Sequence, residues 1–237
     1  IREIREKSQR LGGKIAGAVG AYNASHLFVA EPEEFEREVL AELGLEPGSH
    51  STQIVEPEAM TDFIHALVSC FGVLANLSDD MRHLQRSEIG EVGEYFAAEQ
   101  VGSSTMPHKR NPINYENVKS LWKKFMPGMV TVYMDQISEH QRDLTDSASS
   151  RFLPEIAAGL LMAVQRLQRV LGRMQVDREN LEKNFAMSRE MIVAEPLYIL
   201  LASHGHPDAH EAVRRLTLEA EEKGMPLREL LLEKDEL

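Results

Sequence analysis

Apolar residues recur in steps of three and four over most of this chain, the spacing that lines one face of an α-helix. Between Glu56 and Leu77 they fall at Met60, Phe63, Ile64, Leu67, Val68, Phe71, Leu74 and Ala75. From Pro154 the stripe resumes at Ile156, Leu160, Ala163, Val164, Leu167, Val170, Leu171 and Met174, with Pro154 suited to the first helical position. Residues 112–137 read as a helix between these two, with Ile113, Trp122, Phe125, Met126, Met129, Val130, Tyr133 and Ile137 apolar. Pro127-Gly128 interrupts it, because an internal proline removes a backbone bond and crowds the preceding turn; a kink or break is expected there. A helix of about twenty residues is roughly 30 Å long. Several such rods point to an all-α bundle.

Glycine and proline punctuate the rest. Gly12-Gly13 and the Gly17/Gly20 pair mark close backbone packing or a turn, and Pro32 to Leu43 reads as a short acidic helix. Leu45 to Gln53 reads as loop, with Pro47-Gly48 as its turn. Past Asp177 the helices shorten, with breaks at Gly205-His206-Pro207 and Gly224-Met225-Pro226. The expected division is a long-helix domain over 1–175 and a small helical domain over 176–237. The opening IREIREKSQR reads as the last turns of a helix already under way, so an N-terminal part is expected to be missing.

Composition narrows the function classes. The 237 residues are 43% hydrophobic and 27% charged, ordinary for a globular protein. A net charge of −12 argues against a general nucleic-acid binder. No apolar run reaches the length that spans a bilayer, and no secretory signal opens the chain. The single cysteine, Cys70, cannot form an internal disulfide, which fits a cytoplasmic, reducing setting. In that setting the terminal Lys234-Asp235-Glu236-Leu237 and the acceptor patterns at Asn23 and Asn76 have nothing to act on.

The densest chemistry lies in Gly102-Ser103-Ser104-Thr105-Met106-Pro107-His108-Lys109-Arg110-Asn111-Pro112. Gly102 permits a sharp turn carrying Ser103 and Ser104, and Asn111-Pro112 reads as a helix N-cap and first helical position. Free amides at that helix start, with Lys109 beside them, favour an anion such as a substrate carboxylate. A serine there acts as base only if its alkoxide is strongly stabilised. The plainer alternative is an anion-binding or merely serine-rich loop.

A second polar run, Gln141 to Arg151, joins two apolar helices. Arg142 and Arg151 are forked donors suited to phosphate and Ser147 adds a hydroxyl; a solvated helix connection with internal Asp–Arg pairs is the equal alternative. Ser51-Thr52-Gln53, taken alone, reads as capping and turn chemistry. His204, His206 and His210 lack a completing cysteine or glutamate and read as structural, as Met106 reads as packing.

Gly102 to Asn111 resembles, almost letter for letter, the signature loop of the fumarase/aspartase superfamily of lyases. Its Pro107-His108-Lys109 form is similar to the adenylosuccinate lyase and carboxymuconate cycloisomerase branches. The stretches Gly12 to Asn23, Glu88 to Val92 and Gln141 to Arg151 resemble the adenylosuccinate lyase branch. The resemblance implies an all-α long-helix bundle of the fumarase/aspartase type with a small helical C-terminal domain. It implies β-elimination of adenylosuccinate to AMP and fumarate, and the same cleavage of the succinylamino-imidazole-carboxamide ribotide.

Carried over residue by residue, Ser103 is then the general base. Lys109 and Asn111 hold the succinyl carboxylates, with Ser104 and Met106 in the same substrate-binding loop. Gln53 contacts the succinyl or base portion, and Arg142, Ser147 and Arg151 hold the nucleotide. Glu116 orients the acid histidine, which the family carries in a segment ahead of Ile1; none of the nine histidines here sits in a matching context. A homotetramer with shared active sites is implied, working on a small nucleotide without metal or organic cofactor, nucleic acid or membrane. The alternatives are another superfamily lyase, the cycloisomerase, or a non-catalytic helical assembly fragment.

Overall fold

The structure, a computed structural model, describes residues 1–97, 106, 109–137 and 145–233. It divides into two compact units, 1–83 with 94–175, and 84–93 with 176–237.

The first unit holds α1 (Arg2–Ser8), α2 (Pro32–Glu42), α3 (Glu58–Leu84), α4 (Ile113–Phe125), α5 (Gly128–Asp135) and α6 (Leu153–Leu171). Pro32 opens α2 where a missing amide costs nothing. The predicted break is present, since α4 ends at Phe125 and α5 starts at Gly128. Pro154 is not the first residue of α6; a 3-10 turn over Ser149–Phe152 leads into the helix, so Leu153 takes that place.

Helix α3 is the longest rod, with 27 residues, and runs on past Leu77. Its buried face includes Thr61, Ile64, Leu67, Phe71, Ala75, Ser78 and Met81. The two hydroxyls on that face are satisfied within the helix: Thr61 donates to the Pro57 carbonyl at 3.0 Å and Ser78 to the Leu74 carbonyl at 2.8 Å. By length and composition α3 is long and apolar enough to cross a membrane, which corrects the reading that no run reaches that length. In this fold the helix packs against α4 instead. Phe71 stacks on Phe125 with centroids 6.5 Å apart, and Asp79 pairs with Lys119 and with Arg82.

Helices α4 and α6 lie side by side, and glycine permits the approach. A Cβ on Gly159 would stand 2.3 Å from the Phe125 ring. Tyr115 and Val118 of α4 and Ala163 of α6 are fully buried. Several positions of the predicted stripes instead face outward, among them Ile113, Val130, Tyr133, Ile137 and Val164. A rod with one packed side leaves its other side exposed however apolar it is.

Residues 45–53 are not loop throughout. Glu46–Pro47 pairs in parallel with Gly12–Gly13, where Gly13 lies against Leu40 too closely for a side chain.

The second unit holds α7 (Arg178–Ile192), α8 (Ala194–Ser203), α9 (Ala209–Lys223) and α10 (Leu227–Glu233). Asp177 caps α7 by accepting from the Asn180 amide at 3.0 Å. Gly224, left-handed at φ 60°, ends α9 as the Gly-Met-Pro break requires. Leu216, Ala220, Leu227 and Leu230 form the core. Asn184 donates to the Ile89 carbonyl and to the Glu91 carboxylate, both at 2.9 Å, which ties segment 84–93 to α7.

Candidate functional site

The head of α4 departs from the expected cap. Pro112, at φ −75° and ψ 61°, occupies the N-cap position, and the helix starts at Ile113. Asn111 is therefore not the cap; its carbonyl accepts from the Ile113 amide at 2.9 Å. The first-turn amides are not free for a ligand either. Glu94 Oε1 accepts from the amides of Asn114 at 2.8 Å and Tyr115 at 3.0 Å, and Oε2 accepts from Asn114 Nδ2 at 2.6 Å. Glu94 is 8% exposed, so the anion at the positive end of this helix is the protein's own. Burial, and then the charge of Glu94, push the Tyr115 phenol up to about 12.

Lys109 and Arg110 stand exposed just before this turn. The Lys109 amide donates to the Met106 carbonyl at 3.0 Å, and the Arg110 guanidinium lies 5.5 Å from the Phe96 ring centroid. Glu116 is exposed in the first turn of α4. Ser103 and Ser104 lie outside the described residues, as does Arg142.

Gln53 sits in a turn organised by a residue that sequence reasoning did not single out. The Lys14 ammonium donates to the carbonyls of Gly17 at 2.5 Å and Gln53 at 3.0 Å, and to that of Thr52. Burial lowers the pKa of Lys14, while the charge of Glu36 opposes that shift. Glu36, 4% exposed, accepts from the Ile15 amide at 2.6 Å and the Tyr22 hydroxyl at 2.5 Å. That hydrogen bond pushes the Tyr22 phenol up to about 12. Gly20, at φ +71°, brings its backbone against the Ser51 carbonyl, where a Cβ would stand 2.0 Å away. The Gln53 backbone is thus pinned while its side chain is exposed.

In the second polar run, the Arg151 guanidinium donates to the Ser147 carbonyl. The Ser149 hydroxyl donates to Asp135 Oδ1 at 2.7 Å and to the Asp146 carbonyl at 3.1 Å. The three histidines have local roles. His204 Nδ1 lies 2.9 Å from the Leu200 carbonyl, His206 Nδ1 accepts from the Asp208 amide at 3.1 Å, and His210 meets Tyr198 edge to face.

Lys109, Asn111 and Glu116 are thus grouped at the head of α4, Ser147 and Arg151 at the entry to α6, and Gln53 ahead of α3. Each group is held by its own contacts. Lys14 offered a faint signal, as a lone cation in a glycine-rich stretch. Glu36 and Glu94 offered none, because each is one acid among many in its neighbourhood.

Residues 1–126 match the family model described as Lyase, and residues 138–236 match the model described as Adenylosuccinate lyase C-terminal. The adenylosuccinate lyase of Pyrococcus horikoshii is 36% identical over 234 residues, covering 98% of this chain and 51% of that protein. The adenylosuccinate lyase of Bacillus subtilis is 33% identical over 222 residues, covering 92% of this chain and 50% of that one. Among solved structures, the 3-carboxy-cis,cis-muconate lactonizing enzyme from Pseudomonas putida has a TM-score of 0.78 at 25% identity, covering 97% of this chain and 51% of that chain. A fumarate lyase from Mesorhizobium, TM-score 0.76 at 24% identity, covers 96% of this chain and 50% of its own, and shares the fold. The chain spans about half the length of the curated relatives it matches.

Proposed function

Because the chain belongs to the lyase family, whose model matches residues 1–126, we propose that the protein cleaves adenylosuccinate to AMP and fumarate. The observation that carries this reading is the 36% identity to an adenylosuccinate lyase, which runs through both units over 98% of the chain. The matching imidazole ribotide has the same succinylamino group and is the second substrate.

Ser103 takes the proton from the carbon beside a succinyl carboxylate. The electron pair becomes the new double bond of fumarate as the carbon–nitrogen bond breaks, and the nitrogen leaves with a proton from an acid. Charge builds on the carboxylate before that bond breaks. Lys109 and Asn111, beside the head of α4, stabilise it electrostatically with Ser104 and Met106 in the same loop. Gln53 meets the succinyl or base portion. Arg142, Ser147 and Arg151 take the nucleotide, chiefly its phosphate. Glu116, exposed in the first turn of α4, orients the acid histidine.

The protein works as a cytoplasmic homotetramer with shared active sites. Exposed Val130, Tyr133, Met134 and Ile137 on and just after α5, with Leu161 and Met162 on α6, support that assembly.

The test is fumarate release from adenylosuccinate, with this chain alone and with an added N-terminal lyase segment bearing the acid histidine. Release in the mixture, abolished by Ser103→Ala with AMP binding kept, is expected. No release from a folded mixture overturns the reading. The likeness to the lactonizing enzyme favours a second reading, cycloisomerisation. AMP affinity untouched by Arg142→Ala and Arg151→Ala would select it.

A further inference from the structure

We infer that Glu94 is a positioning residue for Lys109 and Asn111, acting through its hold on the first turn of α4. Resting on the function proposed above, this assigns to Glu94 the placement of Lys109 and Asn111.

The first amides of a helix have no partner within it and are ordinarily met by a side chain at the N-cap. Pro112 holds the N-cap here and offers no side-chain acceptor. Glu94 fills the role from twenty residues upstream, with one oxygen on two backbone amides and the other on the Asn114 carboxamide. Asn114 Oδ1 in turn accepts from Arg166 Nη1 at 2.9 Å. An unbroken line of hydrogen bonds thus runs from Glu94, through the first turn of α4, to α6.

The consequence is geometric. Lys109 and Asn111 stand five and three residues ahead of Asn114, whose amide and carboxamide Glu94 holds. Fixing the Asn114 and Tyr115 amides fixes the head of α4, from which the backbone of Asn111 and Lys109 continues. The tie also fixes which donors remain for a substrate. The amides of Asn114 and Tyr115 are taken, so a substrate carboxylate is left to Lys109 and its neighbours.

Packing of α4 does not depend on this tie alone, because its far end is seated by Phe125 against Gly159. Losing Glu94 therefore shifts Lys109 and Asn111 while the far end of the helix stays seated. Misplacing catalytic groups by about 1 Å can cost about a hundredfold in rate.

The experiment measures kcat, KM and AMP affinity in the active protein carrying Glu94→Ala or Glu94→Gln, together with amide hydrogen exchange at Asn114 and Tyr115. Glu94→Ala is expected to lower kcat by about a hundredfold with AMP affinity unchanged, because the phosphate grip lies elsewhere. The two amides should exchange at least about tenfold faster. Glu94→Gln keeps the length and one acceptor oxygen and should recover part of both. Normal kcat with normal exchange in Glu94→Ala overturns the inference. So does a loss of AMP binding in step with kcat, which marks a general loss of fold. If Glu94→Ala fails to fold, Glu94→Gln is judged by the same criteria. Should the unaltered chain, folded with the added N-terminal segment, cleave no adenylosuccinate, the proposed function fails. Exchange at Asn114 and Tyr115 then judges the Glu94 tie by itself.

Discussion

Two carboxylates of the first unit accept hydrogen bonds from residues well removed in sequence, and the donors they hold differ in kind. Glu94 is buried and holds two backbone amides and a carboxamide at the start of α4. Asp135, the last residue of α5, takes the Ser149 hydroxyl at 2.7 Å. Backbone amides fix the planes of two peptide units, and the helix dipole adds to a charged acceptor there. A hydroxyl turns about its own bond and fixes only a side chain. The bonds at the head of α4 therefore fix backbone as well as a side chain.

The largest effect expected from breaking that comparison is on Glu94. Glu94→Ala should lower stability by about 2–3 kcal/mol, read from denaturant unfolding, because buried donors lose a charged acceptor. Gly159→Ala tests the other end of α4. The added methyl would stand 2.3 Å from the Phe125 ring, and overpacking of this kind costs about 1–3 kcal/mol. If Gly159→Ala slowed turnover as much as Glu94→Ala, seating of the whole helix rather than the tie at its head would set the loop. At the Ser149 hydroxyl, Asp135→Ala should cost less, about 1 kcal/mol, because that hydroxyl loses its carboxylate acceptor and keeps the Asp146 carbonyl. Equal losses at Glu94 and Asp135 would erase the distinction between the two carboxylates.

The smallest effect is in acid. The Lys119 hydrogen bond, aided by Arg82, holds the Asp79 carboxyl below the ordinary aspartate range. A depressed carboxyl contributes stability that is present above its unfolded value and is lost as pH falls through its folded value. Wild type should therefore lose stability below about pH 4 more steeply than Asp79→Asn, by under about 1 kcal/mol for so accessible a pair. Parallel acid limbs for the two proteins would remove Asp79 from the account of how α3 holds α4.

Much of this was legible in the chain. Spacings of three and four located the long rods, because burying one side of a helix requires apolar residues at that period. Pro127-Gly128 marked the break between α4 and α5, and Gly224 the end of α9, because backbone geometry constrains those residues locally. The run Gly102 to Asn111 pointed to a lyase because it resembles the signature loop of that superfamily; its hydroxyls and cation, close together along the backbone, by themselves suit an anion.

Tertiary structure alone decided what meets what across large separations. It gave the head of α4 to Glu94 rather than to Asn111. It set Lys14 on three carbonyls in and around the Gln53 turn, with Glu36 buried beneath Ile15 and Tyr22. It turned Val130, Tyr133 and Ile137 outward although their spacing matches that of buried residues. Local patterns carry periodicity, caps and breaks because those depend on neighbours within a turn or two. The choice of one acid among many depends on which backbone donors the folded chain leaves without a partner, and those donors lie twenty residues or more away.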